Sequence, residues 1–135
     1  MQGTLESNKQ KAMAFLTTAF VDKDPDKAIQ LYVGSYYRQH NPLVSDGKEG
    51  VREYAKRRMV ENPNWKMNFK RAIAEGDYVV LHILHEFAQT DLLYAIAPHG
   101  RAGVAIFRFE EGKIVEHWDV FQSVPAEAAH ENTMF

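Results

Sequence analysis

Apolar residues recur at intervals of three and four along the first half of the chain and at intervals of two along the second. Ala12, Met13, Leu16, Ala19 and Phe20 share one side of a helix. Ser7 with Gln10 has the form of a capping box ahead of them. The stretch DKDPDKAIQLY predicts a second helix. Asp24 is a suitable N-cap, Pro25 suits the first helical position, and Ala28, Ile29 and Tyr32 form the apolar face. SYYRQHNPLVSDG reads as irregular or extended, because Pro42 biases Asn41 away from helix and Asp46-Gly47 is a turn. Asp46 can also cap a third helix, whose Val51, Tyr54, Ala55 and Met59 lie on one side and which ENPN at 61–64 stops.

Four strands are predicted to follow. WKMNFKRAI alternates, with Trp65, Met67, Phe69 and Ala72 as apolar markers, and EGD at 75–77 turns the chain. YVVLHILHEF, 78–87, is almost continuously apolar, the pattern of a strand buried on both faces. After a longer loop, GVAIFRF and KIVEHWDVFQ flank a Glu111-Gly112 turn, a strong hairpin signal. Helices segregated from an antiparallel sheet give the α+β class. Such a sheet must curl around the long first helix to bury it, and the resulting cone has an apolar interior suited to a small molecule.

The hairpin decides which residues can act together. Glu116, His117, Trp118 and Asp119 look like an active-site quartet, but a strand sends neighbours to opposite faces. A turn centred on Glu111-Gly112 sets Phe107 opposite Glu116 and Ala105 opposite Trp118, with Val120 and Gln122 continuing that face. His117 and Asp119 fall on the other face, with Arg108, Ile106 and Val104. A one-residue slip would change the partners but not this split. His82 and His85 are three apart in a strand and also point opposite ways, so they cannot share a metal.

Composition narrows the function further. The 135 residues suit one domain, spanning 1–135. A net charge of −2 and a pI near 6.3 argue against nucleic acid as a partner. There is no cysteine, which excludes disulfides and thiolate metal sites, and no metal is expected. The opening MQGTLESNKQKAMAF lacks the form of a secretory leader, and no apolar run approaches ~18 residues. A cytoplasmic protein with no membrane contact is the expectation.

The segments YYRQHNPLVSDGKEG, AEGDYVVLH, IFRFEEGKIVEHWDVFQ and the terminal NTMF resemble the SnoaL-like polyketide cyclase family, and more narrowly its predicted aldol-condensation-catalysing branch. The resemblance spans residues 10 to 135. It implies the cystatin-like, nuclear-transport-factor-like cone, a pocket between sheet and helices, and commonly a homodimer. Cyclases and isomerases of this kind place an Asp on the strand before the GK turn; the matching residue here is Ala105. The isomerases carry an Asp before a proline; here Asn41 stands in that place, able to hydrogen-bond but not to act as a base. Their first-helix tyrosine falls near Leu16.

The resemblance turns the Ala105 face toward the cavity. It implies that Phe107, Glu116, Trp118 and Gln122 line it, with Leu81, Ile83 and His85 as the inward set of the preceding strand. His85 is the candidate acid or base, Asn41 the candidate polar anchor, and His40 lies beside it at the mouth. A buried Trp118 can equally be ordinary core. His82, His117 and Asp119 are then expected on the convex face as a cluster in a dimer interface, where Arg108 would pair with a partner's carboxylate. A catalytic His117–Asp119 pair would require the faces to be inverted. The implied activity is binding of a small, largely apolar carbonyl compound, with cofactor-free aldol-type cyclisation or isomerisation. A non-catalytic ligand-binding or interaction module is the alternative that Ala105 favours.

Overall fold

The computed structural model describes residues 3–135. Met1 and Gln2, which open the stretch read for a leader, lie outside them. Among the described residues three α-helices pack on the concave face of a five-stranded sheet that does not close. Helix α1, Leu5–Leu16, is capped by Thr4, whose hydroxyl accepts from the Ser7 N–H; Ser7 itself is not the cap. The helix continues into a wider π turn, Thr17–Val21. Helix α2, Pro25–Tyr32, starts as expected, with Asp24 accepting from the Lys27 N–H. Helix α3 is Gly47–Glu61. Asp46 stands at its N-cap but spends its carboxylate on the Gln39 N–H at 2.8 Å.

The segment expected to be irregular or extended is extended at its start and supplies a fifth strand. β1, Val33–Gln39, lies at the sheet edge parallel to β5, Lys113–Ser123. β2, Lys66–Glu75, β3, Tyr78–Glu86, and β4, Arg101–Glu110, complete the order β1-β5-β4-β3-β2, antiparallel apart from that edge. The sheet is therefore mixed, not wholly antiparallel. Sequence alternation misses β1 because an edge strand of Gly34, Ser35 and Arg38 carries few buried residues. β3 alternates between buried and half-buried positions, so it is fully buried on its concave face and only partly covered on the other.

The core lies between α1 and the sheet. Phe15 meets Phe107 edge to face at 5.9 Å, over Leu81, Ile83 and Phe109. Burial of such side chains contributes ~1.5–3 kcal/mol each.

The hairpin register differs from the expected one. Arg108 pairs with Glu116 but Phe109 pairs with Ile114, so Val115 is an extra residue, a β-bulge. Beyond it the parity of β5 is inverted. Phe107 faces His117 and Ala105 faces Asp119, all on the concave side. Trp118 pairs with Ile106 and Gln122 with Ala102, on the outer side. The physical reason is the Glu116 carboxylate. The unbulged register would press it against Phe107 in the core; the bulge hands it to Arg108, whose Nε donates to it at 2.7 Å.

The C-terminal tail docks on the outer face of its own sheet. His82 Nε2 donates to the Met134 carbonyl at 2.9 Å, and the Phe135 ring stacks on the His82 ring. Among the described residues no helix is long and apolar enough to cross a membrane.

Candidate functional site

A cavity of about 340 Å³ opens between the helices and the concave face of β3, β4 and β5. Its apolar wall is Phe15, Leu16, Phe20, Val51, Trp65 and Met67. Its polar wall is Gln39, Asn41, His85, Arg101, His117 and Asp119.

His117 and Asp119 stand here because of the bulge. β1 runs beside them and brings Gln39 and Asn41 from the loop that follows. Gln39 Oε1 accepts the Asn41 backbone N–H at 3.0 Å and lies 2.9 Å from His117 Nδ1. An amide oxygen only accepts, so His117 carries its proton on Nδ1. Its Nε2 then presents a lone pair toward Asp119 Oδ2 at 3.5 Å and has no hydrogen-bond partner among the described residues. Asn41 Oδ1 accepts from the Leu43 N–H, which turns the Asn41 amide so that its Nδ2 donates to Asp119 Oδ1 at 2.7 Å.

The charges of this pair follow from burial. Desolvation pushes Asp119 above the usual carboxylate range, against the opposing pull of Asn41 and Arg101. Desolvation, aided by His40, drives His117 down to about 3. A proton held between the two therefore resides on the carboxyl, not the imidazole. Burial likewise raises the Tyr37 hydroxyl, whose ring stacks on His117.

The other end of the cavity is built around Arg101. Its guanidinium lies over the rings of Trp65, Phe87 and Phe121, and its Nη2 donates to His85 Nδ1 at 3.0 Å. Burial and the Arg101 cation hold His85 well below the ordinary histidine range, so it is neutral.

Several residues expected in the pocket lie elsewhere. Phe107, Leu81 and Ile83 face inward but are sealed in the core beneath the cavity. Glu116, Trp118 and Gln122 lie on the opposite face, turned there by the bulge. His40 sits outside too. It stacks on Trp118 at 4.6 Å and bonds Glu116 at 2.7 Å. Hydrogen bonds from His40 and Arg108 outweigh the burial of Glu116 and hold it below its ordinary value. Arg108 is taken up within its own chain by Glu116 and Glu110. Of the supposed interface cluster, His82 is on the convex face, whereas His117 and Asp119 are not. Ala105, Asn41 and His85 line the cavity.

Tyr37, Gln39, Arg58 and Arg101 were not among the expected residues. Arg101 shares parity with Ala105, four residues on, but the GVAIFRF pattern starts the strand only at Gly103, whereas β4 starts at Arg101. Gln39 depends on the unexpected β1. Among the described residues, no group of three His, Cys, Asp or Glu side chains is placed to hold a metal ion.

The fold has solved relatives. TsrD from Streptomyces laurentii is similar at a TM-score of 0.74 with 24% identity, over 89% of this chain and 91% of that one. A cystatin-fold protein from Novosphingobium aromaticivorans gives 0.67 with 19% identity, over 84% and 97%. An NTF2-like protein from Cytophaga hutchinsonii gives 0.64 with 13%, over 90% and 95%. At these identities the likeness concerns fold alone. No curated protein matches the sequence. The family described as SnoaL-like polyketide cyclase matches residues 10–130, nearly the whole chain, and the protein belongs to that family.

Proposed function

We propose that the protein binds a small, largely apolar carbonyl compound in this cavity and catalyses a cofactor-free proton transfer at the carbon beside the carbonyl, as in an aldol-type cyclisation or an isomerisation. The observation that carries the reading is the Asp119 carboxyl. It is raised by burial, oriented by Asn41 and backed by the neutral Nε2 of His117. A carboxyl whose pKa moves toward neutrality serves both as base and as acid. As carboxylate it takes the carbon-bound proton; as acid it returns that proton to carbon or oxygen. Arg101 lines the same cavity, and its cation can draw a developing oxygen charge. Enolate chemistry needs only this acceptor and this donor.

Ala105 argued for a non-catalytic module. That argument weakens, because a carboxyl stands on the directly paired residue. The test is deuterium uptake from D2O at the carbons flanking the carbonyl of 4-phenylbutan-2-one, followed by NMR. The protein should accelerate exchange above buffer, and Asp119→Asn should reduce the acceleration by about a hundredfold or more. No acceleration, or an Asp119→Asn variant as active as the parent, would sink the reading.

A further inference from the structure

Four side chains at the Arg101 end of the cavity have a buried nitrogen without a hydrogen-bond partner among the described residues: Arg58 Nε, Trp65 Nε1, His85 Nε2 and Arg101 Nε. All four are donors. Arg and Trp nitrogens cannot accept, and His85 Nδ1 accepts from Arg101, which leaves the hydrogen on Nε2. Each unpaired buried donor costs ~1–3 kcal/mol. Folding does not concentrate such costs on one wall without a compensating group.

Three of the groups are neighbours, and Arg58 lines the same cavity. The Trp65 and His85 rings are 5.0 Å apart, and the Arg101 guanidinium carbon is 5.7 Å from the Trp65 ring centroid. Burial pushes Arg101 below the ordinary arginine range, aided by the Arg58 cation and opposed by Tyr54 and Asp119, and both arginines line the cavity. Among the described residues Arg101 has no carboxylate within ion-pair distance, and Arg58 has only Glu61 at 3.3 Å. This end of the cavity therefore carries one guanidinium without an ion-pair partner and several unpaired donors, with the Asp119 carboxyl at the other end.

We propose that the ligand bears a carboxylate beside its carbonyl, an oxo acid, and that Arg101 and Arg58, with the His85 and Trp65 N–H groups, hold that carboxylate. A carboxylate offers about four acceptor sites and one negative charge, which matches four donors. A neutral carbonyl oxygen has two lone pairs and leaves half of them unpaired. The aromatic rings around Arg101 hold the guanidinium in place, so little entropy is lost on binding. The carboxylate would fix the apolar remainder against Phe15, Leu16 and Phe20, with its carbonyl-bearing end turned toward Asp119. This inference rests on the cavity being the binding site proposed above; it does not require turnover.

Calorimetric titration with 4-phenyl-2-oxobutanoate, its methyl ester and inorganic phosphate tests it on the unmodified protein. The acid should bind about tenfold or more tightly than the ester. Arg101→Gln should abolish that preference, and Arg58→Gln should reduce it. Asp119→Asn should keep it, so that failure of the proton-transfer reading is distinguished from failure of this one. Equal or tighter binding of the ester, tighter binding of phosphate, no binding of either organic probe, or a folded Arg101→Gln variant that keeps the preference would each overturn the proposal.

Discussion

Ala105 on β4 and Asp119 on β5 are directly paired across the two strands, and both line the cavity. Directly opposed Cβ atoms lie about 4.5–5.5 Å apart, so a carboxyl on either residue reaches the same volume. The acid whose absence at Ala105 marks the sequence is thus supplied from the neighbouring strand.

This pairing predicts that the carboxyl can be moved back. Asp119→Ala should lose the exchange activity, and Ala105→Asp placed in that background should restore a measurable part of it. Ala105→Asp alone sets two carboxyls side by side in an apolar cavity, where one must stay protonated. Its activity should fall off at higher pH than the parent's, because the shared proton is held more tightly. Deuterium exchange across pH 5 to 9 reads both outcomes. A double variant as inert as Asp119→Ala alone would show that position 105 does not substitute.

The buried histidines make stability depend on pH with a definite sign. His117 is held at about 3 and His85 well below its ordinary value, against roughly 6.5 for an unfolded histidine. As pH falls below about 6.5 the unfolded chain takes up protons that the folded one does not, and stability drops. Asp119 opposes this: its raised folded value means that its contribution is present in acid and lost as pH rises. Two histidines outweigh one carboxyl. Urea unfolding should therefore give lower stability at pH 5 than at pH 7, by up to about 1.4 kcal/mol per pH unit for each uncompensated group. His85→Gln should shrink the drop and Asp119→Asn should enlarge it. Stability that is flat or improves in acid would contradict the neutral histidines.

Most of the helices and the four long strands were legible because their spacing reports which side is buried. Local turn signals at Asp24-Pro25 and Glu111-Gly112 did the rest. The site was less legible because one residue decides it. Alternation alone cannot announce an extra residue when both Ile114 and Val115 are apolar and both become buried. The clue was energetic: an unbulged β5 buries Glu116 against Phe107. β1 was hidden for another reason, since its pairing with β5 is between elements far apart in sequence.

The bulge is itself testable. Deleting Val115 removes the unpaired residue and joins Ile114 directly to Glu116, so the pairs Arg108–Glu116, Phe107–His117 and Ala105–Asp119, and the faces they set, are kept. The expected cost is that of one buried valine, ~1.5–3 kcal/mol. Thermal unfolding should stay cooperative at a lowered Tm, and the exchange activity should survive. A folded deletion variant that loses the exchange activity would mean that Val115 is not the extra residue of β5.

Gly103 governs the shape of the Arg101 end. A Cβ on Gly103 would come within 2.0 Å of Phe121 Cδ1 and 2.6 Å of its Cγ, so the ring could not stay where it is. That ring stacks on His85 at 4.3 Å and lies 4.9 Å from the Arg101 guanidinium carbon. Gly→Ala in a strand ordinarily gains about 0.5–1 kcal/mol from the unfolded chain, but here overpacking should reverse the sign, to a net loss of about 1–3 kcal/mol. The displaced ring should also free Arg101 to move and weaken binding of the oxo acid. In a Phe121→Ala background the added methyl has room, so Gly103→Ala should there be neutral or stabilising. A double-mutant cycle on urea stability measures this coupling. Additive effects of the two substitutions would show that Gly103 is not kept small by the Phe121 ring.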